Sequence, residues 1–156
     1  MREIKKILLP IDFFEGAVKI LRYANHIASL FGAEMRIVHV AAWPYSLSGF
    51  PPAGQENLFQ DDIRMAEKRL ESFVEENSES ITASFTSQVM AGPVAETIID
   101  YAAKEDIDLI VIGTHGRTGF ARLLLGSVAE KVLKLAPCPV LTVLTFNEEE
   151  GERGAT

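Results

Sequence analysis

The chain has 156 residues, 47% of them hydrophobic, with 22 acidic against 15 basic side chains and a formal net charge of −7. That length suits one domain able to bury a core without staples. The acidic balance argues against nucleic acid as a partner, because backbone binding relies on lysine and arginine to displace counterions.

In chain order, Met1 leads straight into a strand-like apolar run with no signal-peptide pattern, and Ile4 to Pro10 reads as a buried strand. Ala17, Leu21, Ala24, Ala28 and Phe31 recur at helical spacing and stop at Gly32. Glu34 to Val40 is a second strand, and residues 41 to 57, rich in Pro, Gly and Ser, read as a long loop. Ile63, Ala66, Leu70, Phe73 and Val74 mark a second helix; Thr82 to Met90 alternates like an edge strand. Gly92-Pro93 opens a third helix carrying Val94, Ile98, Tyr101 and Ala102 on one side. Leu109 to Ile112 is strand four, Val128 to Ala136 a helix and Val140 to Leu144 strand five. Residues 147–156 form an acidic tail expected to be disordered, outside a domain spanning 1–146. No segment reaches the roughly 18–20 apolar residues of a membrane helix, so neither a membrane nor a secreted setting is expected, and a reducing cytoplasm is the simplest compartment. The one cysteine, Cys138 between two prolines, can form neither an intrachain disulfide nor a cysteine-rich metal site. It reads as a small apolar residue at a strand entrance, with a redox role as the alternative.

Alternating strands and helices with near-continuous apolar strands imply an α/β fold. The expectation is a five-stranded parallel sheet, doubly wound in the order 3-2-1-4-5, with helices on both faces. In such sheets ligands sit at the carboxyl ends of the strands where the order reverses, here between strands one and four. Two motifs meet there. Strand one ends in Pro10-Ile11-Asp12, and strand four runs into a loop with glycines at 113, 116, 119 and 126 before a helix starting near Ser127. A helix start offers unpaired N–H groups and the positive end of its dipole, which favours phosphate. A carboxylate at Asp12 can accept hydrogen bonds from ribose hydroxyls or an adenine amino group. Each feature has a plainer use as well. Asp12 could cap the following helix. Ser127 with Glu130 spells a capping box. Arg117 and Arg122 could pair with phosphate or stay solvated, and His115 has no visible partner. His39 reads as a satisfied core group, and Asp108, on the opposite edge of the sheet, as structural.

The spacing Gly113-x2-Gly116-x9-Gly126-Ser127 resembles the G-x2-G-x9-G-[S/T] signature of ATP-binding members of the universal stress protein family. Asp12 after Pro10-Ile11, the His39-Val40 strand end, Gly92-Pro93 and the Ala136 to Val143 segment are similar to that family too, so the resemblance runs from about Ile4 to Leu144. It implies a homodimer and a bound ATP or other adenine nucleotide. Asp12, beside Pro10, would hold ribose or adenine, with Ile11 and Val40 lining the base pocket. Gly113, Gly116, Gly126, Ser127 and Val128 would hold the phosphates, with Mg2+ or Mn2+ carried on them as in similar proteins; Arg117, within the same loop, is counted with the nucleotide-binding residues on its charge. Many relatives place a serine or threonine shortly after the strand-one aspartate, whereas Phe13-Phe14-Glu15-Gly16-Ala17 has no hydroxyl. Pairing of strand five, Val140 to Leu144, with its copy would cover an apolar edge in a two-fold contact, one that Val143→Lys is expected to weaken. The function expected is a stress-response regulator in which ATP occupancy controls conformation or the binding of a protein partner. An adenine-nucleotide hydrolase or transferase on the same scaffold is the alternative. A G-x4-G-K-[S/T] loop is absent, so at most a weak ATPase is expected, with no catalytic residue assigned.

Overall fold

Buried apolar runs and one-sided helical stripes alternate along the chain, and a computed structural model describing residues 2–14, 16–42, 53–114 and 125–145 shows how they assemble. The elements are β1 (Lys6–Pro10), α1 (Ala17–Phe31), β2 (Glu34–Ala42), α2 (Glu56–Glu76), β3 (Phe85–Gly92), α3 (Val94–Lys104), β4 (Leu109–Gly113), α4 (Ser127–Leu135) and β5 (Val140–Val143), with a 3-10 turn at Ser78–Ser80. All five strands are parallel and lie in the order β3-β2-β1-β4-β5. That is the doubly wound α/β arrangement expected from the strand pattern.

Successive strand residues point to opposite faces, and β1 shows why its sequence has no polar alternation. Ile7 and Leu9 pack under α1 and α2 with Leu21, Met35 and Ile37. Leu8 packs under α3 and α4 with Val38, Ile98, Ile110 and Val132. Each such side chain contributes about 1.5–3 kcal/mol by leaving water, so the central strand anchors both layers.

Several boundaries differ from the sequence reading for identifiable reasons. The α1 stripe is Ala17, Ile20, Leu21, Ala24 and Ala28, while Phe31 is exposed. The turn at Gly32 (φ 64), sealed by the Ala33 N–H to Ala28 O bond of 2.8 Å, delivers Ala33 to the core instead. The third strand begins at Phe85, because the Thr82 and Ala83 N–H groups donate to Asn25 Oδ1 of α1 at 2.9 and 3.1 Å. It then continues to Gly92, since Ala41 and Ala42 of β2 pair with Ala91 and Gly92. Pro93 caps α3 from outside, its carbonyl accepting the Thr97 N–H at 2.9 Å, and the helix starts at Val94. The loop expected over 41–57 is trimmed at both ends by β2 and α2; residues 43–52 and the tail at 147–156 lie outside the described residues.

At the edge, β5 differs from expectation in one consequential way. Val143 is 5% exposed and belongs to the chain's own core, so a lysine there would damage the monomer before it touched any pairing. The apolar side chains offered outward are Leu141, 36% exposed, and Leu144, 62% exposed. Among the described residues no helix is long and apolar enough to cross a membrane.

Asp108 ties down the amino end of the sheet. Its Oδ2 accepts the Lys5 and Lys6 N–H groups, both at 3.0 Å, and its Oδ1 pairs with Arg2 Nε at 2.8 Å. This is the structural role expected. Cys138 is partly buried beside the α3/α4 core. Burial and then Asp108 push its thiol pKa up, away from the reactive thiolate form.

Candidate functional site

β1 is flanked by β2 on one side and β4 on the other, so the direction of winding reverses at its carboxyl end. The register places Ile7 beside Leu109 and Leu8 beside Ile110, which brings the segment after Pro10 level with the exit of β4. A cleft of about 540 Å³ opens there. Pro10, Ile11, Asp12, Val40, Gly113, Gly126, Ser127 and Val128 all line it, as do His39, Ile112 and Thr114. Gly116 and Arg117, together with His115 and Arg122, lie outside the described residues.

The Asp12 turn has its own internal order. Asp12 does not cap α1, whose first residue is preceded by Gly16; instead its Oδ1 accepts the Phe14 N–H at 3.1 Å. Phe13 between them sits at φ 63, a left-handed conformation that a bulky residue adopts only when its surroundings impose it. His39 secures the preceding residue. Its Nδ1 lies 2.8 Å from the Ile11 carbonyl, an acceptor only, so Nδ1 carries the proton and Nε2 holds the lone pair in the neutral ring. Burial, and more weakly Arg69, lower the His39 pKa below its usual value, against the Ile11 bond and the Asp12 charge, which raise it. His39 is thus satisfied as expected, and it also forms part of the cleft wall.

On the other side the cleft meets the start of α4. The capping box read in Ser127 and Glu130 does not form: Gly126 occupies the cap position, Ser127 is the first helical residue and no side chain caps the helix. The first intrahelical bond runs from Glu130 N–H to Gly126 O at 2.9 Å. The Ser127, Val128 and Ala129 N–H groups therefore precede the hydrogen-bonded ladder, the usual setting for anion capture. Gly126 itself donates its N–H to Thr114 O at 2.7 Å, which closes the base of the intervening segment. Its amide is committed to the fold here. Gly113 also answers to packing: a Cβ there would stand 2.5 Å from Ile20 Cδ1 and 3.1 Å from Thr145 Cγ2. The glycine at 113 lets α1 and the end of β5 close over β4, a need that exists without any ligand.

Sequence reasoning did not find Phe13 and Arg69, which also line the cleft. The Arg69 guanidinium carbon lies 4.8 Å from the Phe13 ring centroid, and the His39 ring is 4.4 Å from it. A partial signal existed in the helical spacing of Arg69 and Phe73, both on α2, but nothing local links them to Phe13.

Fold and site together define a doubly wound α/β domain with an open crevice at its switch point, walled by a short acidic turn and an uncapped helix start. Residues 3–143 match the universal stress protein family, and the chain belongs to it. Universal stress protein MJ0531 of Methanocaldococcus jannaschii is 35% identical over 140 residues, covering 89% of this chain and 81% of that one. Among solved structures, MJ0577 superimposes with a TM-score of 0.76 at 28% identity, covering 94% of this chain and 99% of the other. The universal stress protein from Archaeoglobus fulgidus in complex with dAMP gives 0.66 at 24% identity, covering 90% and 98%.

Proposed function

We propose that this protein is an ATP-binding regulator in which nucleotide occupancy of the β1/β4 crevice sets a surface read by a protein partner. One observation carries the reading: Pro10, Ile11, Asp12, Val40, Gly113, Gly126, Ser127 and Val128, chosen from distant segments of the sequence, line a single cleft. Its volume, about 540 Å³, falls within the range of roughly 300–1,000 Å³ usual for small-ligand sites. Ile11 and Val40 supply apolar wall for the base, and Asp12 supplies the acceptor for ribose hydroxyls. The amides at the start of α4 face the phosphates, with Gly116 assigned to them by motif and Arg117 by its charge. A fold of this kind houses an adenine nucleotide in the Archaeoglobus fulgidus complex with dAMP. Among the described residues no three His, Cys, Asp or Glu side chains gather as a metal site. A Mg2+ or Mn2+ ion would accordingly be carried on the phosphates rather than in a protein cage. Hydrolysis is slow or absent in this reading.

The direct test is acid extraction of the purified protein, followed by calorimetric titration of nucleotide-free chain with ATP. Micromolar affinity, about 8 kcal/mol, is expected. Absence of both co-purified nucleotide and binding at millimolar ATP would refute the assignment.

The same reading includes a homodimer through β5 and the residue after it, Val140 to Leu144. An edge strand presenting Leu141, followed at once by the exposed Leu144, is an invitation to pair, and a two-fold partner covers both copies at once. Leu141→Lys is expected to shift sedimentation toward monomer while leaving the circular dichroism spectrum intact. An unshifted dimer would place the contact elsewhere.

A further inference from the structure

We infer that Phe13, gripped between β2 and α2, is the positioning residue that holds the Asp12 carboxylate in its binding orientation; the inference rests on the nucleotide reading above. Among the described residues only Phe13, at φ 63, and Asp106, at φ 53, are non-glycines in the left-handed region. Such a conformation persists only where neighbours over-determine it. Here they do. The Phe13 ring lies 4.4 Å from the His39 ring, tilted by 36°, and takes the Arg69 guanidinium on its face at 4.8 Å. Phe73 of α2 meets it edge-on at 6.3 Å. These distances suit aromatic packing and a cation–π contact.

His39 completes the arrangement from the other side, because its Nδ1–H donates to the Ile11 carbonyl at 2.8 Å. Asp12 is therefore held on both flanks, at Ile11 by a hydrogen bond and at Phe13 by the ring stack, and both holds run through His39. Arg69 forms no ion pair among the described residues, and its guanidinium lies over the Phe13 ring. The left-handed turn presents the Phe14 N–H to Asp12 Oδ1 at 3.1 Å, leaving Oδ2 for a ligand hydroxyl. Release of the ring would let residue 13 return to an ordinary negative φ, turning the peptide after Asp12 and breaking that bond.

The test separates aiming Asp12 from merely shaping the cleft. Wild type, Phe13→Ala, Phe13→Trp and Arg69→Met are titrated calorimetrically with ATP and with 2′,3′-dideoxy-ATP, which lacks both ribose hydroxyls. Wild type is expected to prefer ATP by about tenfold or more, the value of a hydrogen bond to a charged acceptor. Phe13→Ala is expected to lose about tenfold for ATP and less than about twofold for the dideoxy analogue, so that the preference disappears. Arg69→Met, which keeps the packing and removes the charge, is expected to lose about threefold for ATP alone, and Phe13→Trp to retain the preference. Equal losses for both ligands, or none, would overturn the inference while leaving the site reading intact. If Phe13→Ala fails to fold by circular dichroism, the same comparison in Arg69→Met decides. A wild-type chain that binds both ligands equally also overturns it, by removing the ribose contact; one that binds no ATP overturns the site reading itself.

Discussion

Gly126→Val is expected to abolish ATP binding at concentrations up to about a hundred times the wild-type dissociation constant, a loss of at least ~2.7 kcal/mol, while the fold persists. The backbone at Gly126, φ −60 and ψ 153, is one that any residue adopts, so valine meets no conformational bar. Its amide bond to Thr114 O, 2.7 Å, and its carbonyl bond from Glu130, 2.9 Å, do not involve the side chain. The cost to stability is expected to stay within about 1 kcal/mol, the scale of a poorer helix cap. What changes is the mouth of the crevice. Gly126 lines it directly before the Ser127 and Val128 amides, and a branched side chain there occupies the space a phosphate needs. Calorimetry gives the affinity and a urea melt gives the stability. Normal ATP binding by this variant would show that the start of α4 is not the phosphate site.

Asp108→Ala is expected to do the reverse, destabilising the chain by about 2–4 kcal/mol with little effect on nucleotide affinity. The Asp108 side chain is 5% exposed, and its carboxylate serves as acceptor for two backbone amides, Lys5 and Lys6, both at 3.0 Å. Truncation leaves both donors without that partner, and an orphaned donor costs more than the bond was worth. The ion pair to Arg2, whose side chain is 68% exposed, adds little by itself. Asp108→Asn, which keeps an acceptor oxygen, is expected to lose about 1–2 kcal/mol. Denaturant midpoints at equal m-values would measure both, and a loss below ~1 kcal/mol for the alanine variant would show that water replaces the carboxylate. Because Asp108 lies at the amino end of β4 and the crevice at the carboxyl ends, the two variants separate folding from binding.

The strand order was legible because β1 and β4 carry no polar alternation, which only a sheet covered on both faces permits. The crevice was legible for a related reason: once the order is known, Pro10-Ile11-Asp12 and Gly113 have to meet at the reversal. Side-chain hydrogen bonds that reach across the fold were not legible. The start of β3 was misplaced because Asn25, some 57 residues away, takes the Thr82 amide. Ser127 and Glu130 have capping-box spacing, yet the helix begins one residue earlier than that box requires, with Gly126 at the cap. The Phe13 cluster stayed hidden because its members come from a turn, a strand and a helix, and a left-handed phenylalanine leaves no trace in periodicity. Gly113 stood out as a loop glycine of the phosphate-type spacing, yet the atoms that crowd it belong to Ile20 and Thr145.

Thr145 has a wider consequence. Directly after the edge strand, it comes within 2.7 Å of where a Cβ would stand on Gly16 and within 3.1 Å of one on Gly113. The same few atoms therefore link the β5 edge of the sheet, the turn that follows the first strand and the floor of the crevice. Any displacement there is shared between them, and thermodynamic linkage makes the effect reciprocal. If nucleotide strengthens self-association by some factor, self-association must tighten the nucleotide by that same factor, so protein concentration becomes a control on ligand loading.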